Sequence, residues 1–231
     1  MEWNSNIIKN LWPDNIQNRE SKQKVAMQIA TKAIDGDTIG IGSGSTSYLA
    51  LLAIAQRIKI EKLKIKAVPT SIEIALTCVR LGIPVISLNE SRPDWCFDGA
   101  DEVDPNNHLI KGRGGAMFKE KLIMSASERN YILIDHSKKV DKLGAKFSVP
   151  IEVFPSSLMI VEAKLRKLGA YELILRPAQG KDGPVISESG NLILDVRFDD
   201  IDKEMEYKIK CITGVIESGL FQNLQAEVIV G

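Results

Sequence analysis

Glu120 is a residue whose position is hard to explain by folding alone. A helix is expected over 114–128, and Lys121, Ser125 and Glu128 would form its polar side. At about 100° per residue, Glu120 turns away from that side. Its helical neighbours are Ala116, Met117, Ile123 and Met124. A carboxylate placed among such residues is costly unless it is paired or protonated. Burial favours the neutral acid, which suits a base that must take a proton from carbon near neutral pH. A structural ion pair with Lys119 or Lys111 would explain the same placement.

Three further clusters carry polar chemistry. Gly40-Ile41-Gly42-Ser43-Gly44-Ser45-Thr46 follows an apolar run and opens a helix. Glycines admit a ligand close to the backbone, and a helix N-terminus offers N–H groups and a positive dipole end. Ser43, Ser45 and Thr46 add hydroxyls, so the loop can cradle a phosphate. It is not a Walker A loop, because no Gly-Lys-Ser/Thr is present, and Ser47 replaces the third glycine of a dinucleotide fingerprint. A tight turn with a Ser or Thr cap is the plainer alternative.

Asp98-Gly99-Ala100-Asp101-Glu102-Val103-Asp104 places four acids within seven positions after apolar Trp95-Cys96-Phe97. Such carboxylates can bind sugar hydroxyls, relay protons or ligate magnesium. A solvated acidic turn fits Glu102 and Asp104 well and Asp98 less well. Lys111-Gly112-Arg113-Gly114-Gly115-Ala116 is a second glycine-rich turn entering a helix. Its cations can neutralise a phosphate or a developing oxyanion, or form a flexible basic surface loop.

These clusters must be positioned by the elements around them. The first two-thirds of the chain alternates short apolar runs with helical patterns. Strands are expected at 38–41, 65–68, 84–88, 95–98 and 131–134, and helices at 21–34, 47–59, 71–81 and 114–128. That alternation implies an α/β fold, a doubly wound and mostly parallel sheet of Rossmann type. Ligands of such sheets sit beyond the carboxyl ends of the strands, where the polar clusters fall. A smaller α+β domain is expected next, with strands at 151–154, 171–175 and 193–198, a hairpin turn at 189–191, and helices at 158–168 and 202–211. Strands at 215–221 and 226–230 either return to the first sheet or extend the second. The expected organisation is an N-terminal extension over 1–20, a Rossmann-like catalytic domain over 21–146 plus 215–231, and the smaller domain over 147–214.

Composition narrows the function classes. Lys plus Arg and Asp plus Glu both number 30, giving no net charge and no basic excess for nucleic acid. Any anionic ligand must be met by a local cluster. Cys78, Cys96 and Cys211 are odd in number and lack metal-ligand spacing, as do His108 and His136. No zinc site or disulfide scaffold is expected, and a reducing compartment is the natural setting. No run reaches the roughly 20 apolar residues of a membrane span. The first 20 residues hold Trp3 and Trp12 without a signal-peptide core. They are expected to form a surface extension, or an arm that packs on another subunit.

Taken in order, the motifs resemble the ribose 5-phosphate isomerase A family over nearly the whole chain after that extension. The resemblance rests on GIGSGST (40–46), DGADEVD (98–104), KGRGGAMFKEKL (111–122), DHSK (135–138), PIEVFP (150–155), SGNLILDV (189–196) and ESGLF (217–221). It implies interconversion of ribose 5-phosphate and ribulose 5-phosphate through a cis-enediolate, in the pentose phosphate pathway, without metal or organic cofactor. It implies that Glu120 is the base, that Asp98 assists ring opening, and that Lys111 steadies the enediolate oxygen. It makes Ser43, Gly44, Ser45, Thr46, Asp98, Gly99, Ala100, Asp101, Lys111, Gly112, Arg113, Gly114 and Lys138 substrate-binding, with Lys138 near the phosphate. Lys22 matches a further lysine, although no motif anchors it. A homodimer or homotetramer in the cytoplasm follows from the same resemblance, with a sugar phosphate as the only partner and neither nucleic acid nor membrane. Two departures are visible: threonine is common where Ser43 stands, and some members have glycine where Arg113 stands.

Three rival readings use the same residues. A coenzyme A transferase would use Glu120 as a nucleophile and form a glutamyl thioester. A sugar-phosphate sensor of a transcription regulator would need a helix-turn-helix partner. A phosphotransferase would hold magnesium on Asp98 and Asp101.

Overall fold

The computed structural model describes Trp12 and residues 15–231. The chain forms two compact units. The first holds the described residues through Gly99, with Leu122–Ser137 and Gln225–Gly231, and the second holds Ala100–Lys121 and Lys138–Leu224. This division differs from the expected one. Residues 100–121 and 138–146 join the second unit, as does 215–224.

The first unit is built on five parallel strands. They are β1 (Thr38–Ile41), β2 (Lys66–Pro69), β3 (Trp95–Asp98), β6 (Asn130–Ile134) and β12 (Glu227–Val230), in the order β12-β6-β3-β1-β2. Strands β1 and β3 are buried along their full length, as both-face coverage demands of a parallel sheet. Helices α1 (Arg19–Ala30), α2 (Gly44–Glu61) and α3 (Ile72–Arg80) belong to the same unit. Val25, Ile29, Ile39, Ile41, Leu51, Ile54, Ile74 and Phe97 are among the buried residues of its core. Trp12 stacks on Tyr48 with ring centroids 4.5 Å apart and donates its indole N–H to Thr77 Oγ1 at 3.2 Å. Trp3 and most of the expected extension lie outside the described residues. No helix among the described residues is long and apolar enough to cross a membrane.

Two expectations are corrected here. Residues 84–88 do not form a strand. Val85 makes one isolated bridge to Ala67, and the chain then turns where the Glu90 carboxylate accepts from the Ser87 N–H and hydroxyl. The run at 215–221 is not one strand either. It divides into β10 (Val215–Ser218) and β11 (Leu220–Phe221) at Gly219.

The second unit carries two antiparallel sheets. The larger comprises β10, β7 (Val149–Val153), β9 (Leu192–Phe198) and β8 (Ala170–Leu175), in that order. The smaller comprises β11, β5 (Leu109–Ile110) and β4 (Glu102–Val103). Helices α5 (Leu158–Lys167) and α6 (Met205–Lys210) belong to this unit. Ile151, Val153, Val161, Leu165, Val196 and Ile209 are fully buried in its core. The two-residue strands β4 and β5 were not expected, because so short a run shows no periodicity. Residues 189–191 turn as anticipated, but the hairpin there is one bridge between Ile186 and Leu192, and β9 pairs chiefly with β8 and β7. Helix α4 (Met117–Ala126) carries the chain from the second unit to the first.

Burial pushes the Cys78 thiol up to about 12 from its ordinary value of 9.0. Native protein should therefore resist thiol reagents at Cys78 near neutral pH while exposed Cys211 reacts. Mass spectrometry of alkylated peptides checks this. Because the folded thiol holds its proton more tightly, its stabilising contribution is intact below pH 9.0 and is lost as pH rises toward 12.

Candidate active site

In the first unit, the phosphate-type loop leaves the end of β1. Beside it lies β3, with Ile41 opposite Phe97. Chain order runs β1 to β2 on one side and then to β3 on the other, so β1 and β3 flank a topological switch point. Gly42 donates its N–H to Phe97 O at 2.8 Å. A Cβ on Gly42 would lie 2.3 Å from Asp98 Cγ, so only glycine lets the loop approach this carboxylate. Asp98 is buried, and its Oδ1 accepts from Gly99 N at 2.7 Å and from Ser47 Oγ at 3.4 Å.

Ser43 stands at the cap position of α2, but its side chain makes no capping bond. Its hydroxyl instead meets Thr70 Oγ1 at 2.6 Å. Ser43 therefore does not cap the first-turn amides of this helix. Lys22 Nζ donates to Ser45 Oγ at 3.1 Å. The structure therefore brings the loosely anchored lysine to the loop, a placement that no local motif reveals.

In the second unit, Lys111 follows β5 and Glu120 lies in the first turns of α4. Lys111 Nζ is 3.4 Å from Glu120 Oε2, and both side chains are buried. Of the two ion-pair partners considered for Glu120, Lys111 is the one found. Lys119 pairs with Glu188 at 2.7 Å instead. The main chain of Lys111 is fixed as well. Its N–H donates to Gly219 O at 2.9 Å. A Cβ on Gly219 would stand 2.1 Å from Lys111 O, which explains the glycine in ESGLF.

Asp101 holds the loop after Lys111, since its Oδ2 accepts from Arg113 N at 3.1 Å. Lys138 and Arg113 both approach the Phe147 ring, at 5.3 and 5.8 Å from its centroid. Gly114 is exposed, Gly112 is buried, and Ala100 lies half-buried beside Asp101.

One expectation is overturned and another is refined. Glu102 is not part of a solvated turn. It is fully buried and accepts from the amides of Gly144, Lys146 and Phe147 at 2.7, 2.6 and 2.6 Å. Three N–H donors replace its water, which makes burial tolerable. Lys121, placed on the polar side of its helix, is buried there. Its Nζ pairs with Glu206 at 2.7 Å and Glu217 at 2.9 Å, donates to Leu220 O at 2.7 Å, and lies 4.6 Å from the Phe221 ring centroid. Periodicity placed Lys121 opposite apolar residues, but it cannot show that a helix's polar side faces buried carboxylates.

Burial alone would push the Glu217 carboxyl up. The Lys121 ammonium, the Ser218 amide and Lys210 outweigh that and hold it below the ordinary carboxylate value. Glu206 also ties down the following segment, with its Oε2 accepting from Gln222 N at 2.7 Å and Asn223 N at 3.1 Å.

A family model described as Ribose 5-phosphate isomerase A (phosphoriboisomerase A) matches residues 66–231. The ribose-5-phosphate isomerase A of Thermosynechococcus vestitus is 41% identical over 217 residues, covering 92% of each chain. The solved ribose 5-phosphate isomerase A of Methanocaldococcus jannaschii superposes with a TM-score of 0.89 at 39% identity, over 93% of this chain and 95% of that one. A D-ribose-5-phosphate isomerase solved in complex with phospho-erythronic acid gives a TM-score of 0.86 at 40% identity, over 91% and 93% of the two chains.

Replacing Glu217 by Gln should destabilise the protein at pH 7, by less than the roughly 3–5 kcal/mol of a buried charge left wholly uncompensated, because Glu206 still pairs with Lys121. The lowered native value means the carboxylate stabilises above its ordinary value of 4.5 and loses that contribution as pH falls below it. The gap between wild type and Glu217→Gln should therefore shrink in denaturant titrations below that pH. A gap that stays constant down to acid unfolding would contradict the charge-pair account.

Proposed function

The chain belongs to the ribose 5-phosphate isomerase A family, and from that premise we propose that it interconverts D-ribose 5-phosphate and D-ribulose 5-phosphate. The observation that carries the residue assignment is the buried Lys111–Glu120 pair at 3.4 Å. It combines a base with a cation suited to an oxyanion, and both are shielded from water.

In this reading Asp98 takes part in opening the furanose, moving a proton between the ring oxygen and the anomeric hydroxyl. Glu120 then removes the proton on C2 of the open aldehyde. The electron pair shifts onto O1 and gives a cis-enediolate, whose charge Lys111 steadies. Electrostatic support of this kind is worth several kcal/mol, by comparison with about 2.7–4 for one oxyanion-hole donor. Glu120 returns the proton to C1 while the O2 hydroxyl proton passes to O1. The net change is a transfer of hydrogen between neighbouring carbons, and no redox partner is consumed.

Ser43, Gly44, Ser45 and Thr46 supply donors for the substrate, supported by the uncapped start of α2. Lys138 is assigned to the phosphate, and Gly99, Ala100, Asp101, Gly112, Arg113 and Gly114 to substrate contacts. Asp101 already accepts from Arg113 N, which also gives it a part in shaping the loop. The phospho-erythronic acid bound to a related isomerase is consistent with this chemistry. Its carboxylate resembles the planar charge of an enediolate, and its phosphate resembles the substrate's. We further propose a homodimer or homotetramer in the cytoplasm, serving the pentose phosphate pathway.

An assay of ribulose 5-phosphate formation from ribose 5-phosphate, with a strong chelator present, tests the reaction directly. Glu120→Gln should lower kcat by about 10²–10⁴ and leave substrate affinity near wild type. It should also stop exchange of the C2 hydrogen with deuterated water. A near-wild-type rate removes Glu120 from the base role. Lys138→Ala should mainly raise KM, and an unchanged KM would count against a phosphate contact.

A further inference from the structure

Arg176 follows β8 and takes no part in the steps above, yet its guanidinium grips the loop that joins Lys111 to Glu120. Nη1 donates to Gly112 O at 3.1 Å and to Arg113 O at 3.0 Å. Nε and Nη2 donate to the two carboxylate oxygens of Asp195 at 2.8 and 2.5 Å. The planar fork of arginine holds Asp195 bidentately while Nη1 serves both carbonyls, and a lysine ammonium cannot do both.

The grip is itself anchored. Arg176 N donates to Ile193 O at 2.9 Å, and Arg176 O accepts from Val185 N at 2.8 Å. Asp195 lies on β9 opposite Ile174. The guanidinium therefore hangs from the sheet, not from a loop.

The loop is consequently held at successive peptides. The Gly112–Arg113 peptide is fixed at both ends, with its carbonyl on Arg176 and its N–H on Asp101 Oδ2 at 3.1 Å. The next carbonyl, that of Arg113, is also on Arg176. A trans peptide points its N–H opposite to its C=O, so the Gly114 N–H is turned away from Arg176 in a set direction. Upstream sits Lys111, with its N–H on Gly219. Downstream, α4 begins at Met117 and carries Glu120.

We propose that Arg176, oriented by Asp195, is a positioning residue for the isomerisation, fixing the 112–114 peptides and through them the Lys111–Glu120 geometry. This rests on the isomerase reading above. A misplacement of about 1 Å at a reacting group costs on the order of 100-fold in rate, so the effect belongs in kcat.

The test uses the full chain and three variants, Arg176→Ala, Arg176→Lys and Asp195→Asn. Arg176→Ala should lose about 10–100-fold in kcat, while KM moves less than about threefold and the variant, though less stable because Asp195 loses its partner, stays folded at the assay temperature. Millimolar guanidinium ion should restore part of that activity and leave wild type unaffected. Arg176→Lys should rescue poorly, because it keeps the charge without the fork. Amide hydrogen exchange over 112–116 should quicken in Arg176→Ala. A folded Arg176→Ala with wild-type kcat overturns the proposal, as does a loss that appears only in KM or that guanidinium cannot restore. If neither Arg176 variant folds, Asp195→Asn decides, and a wild-type kcat there overturns it equally. Wild-type protein that fails to convert ribose 5-phosphate sinks the functional reading itself, whereas an active wild type with indifferent variants sinks only this inference.

Discussion

The proposed site depends on the contact between Lys111 and Glu120. Two opposite charges 3.4 Å apart and nearly out of water are stable only together. Removing either takes from the other a buried opposite charge 3.4 Å away. The chain must therefore deliver both groups accurately, although one follows a two-residue strand and the other lies on a helix. That requirement accounts for the close approach of Gly219 to Lys111, for the Asp101 carboxylate on the Arg113 amide, and for Arg176 beneath two carbonyls. A glycine-rich loop left to itself would sample many conformations, and here side chains suppress that freedom.

Charge burial recurs through this unit and is answered differently each time. Glu102, Glu120, Glu152, Glu206 and Glu217 are all buried. Glu102 is satisfied by three main-chain amides. Glu152 accepts from Ser187 Oγ at 2.6 Å and Asn191 Nδ2 at 2.9 Å, which pins the 187–191 turn. Glu206 and Glu217 share Lys121. Neighbouring residues of α4 thus serve different ends. Lys121 is neutralised by carboxylates in a structural cluster, while Glu120 faces the lysine expected to meet the reacting oxygen.

The first unit reaches its chemistry by a more local route. A parallel pair, β1 and β3, ends in a glycine loop and an aspartate that contact each other directly. The start of α2 is kept without a side-chain cap, and a lysine from α1 reaches the loop hydroxyl. Parallel strands, helix dipole and hydroxyls suit an anion cradle, while Thr70, Asp98 and Lys22 reach the loop from elsewhere in the unit.

The sequence by itself determined the parallel sheet, because runs such as Thr38–Ile41 and Trp95–Asp98 are apolar throughout and separated by helical stretches. It determined the placement of Glu120 on an apolar helix face, because helical periodicity alone forces it there. It also determined the family, because seven ordered motifs leave little room for another. Only tertiary structure decided which lysine meets Glu120, that Glu102 and Lys121 are buried, that Arg176 reaches the 112–113 carbonyls and that Lys22 reaches Ser45. Those partners come from the 144–147 loop, α6, β9, β10 and β11, and periodicity carries no information about which element lies beside which. The same reason explains the unit boundaries. Residues 100–121 read as part of the first domain along the chain, yet β4 pairs with β5 and β5 with β11, whose place in the second unit only the folded chain reveals.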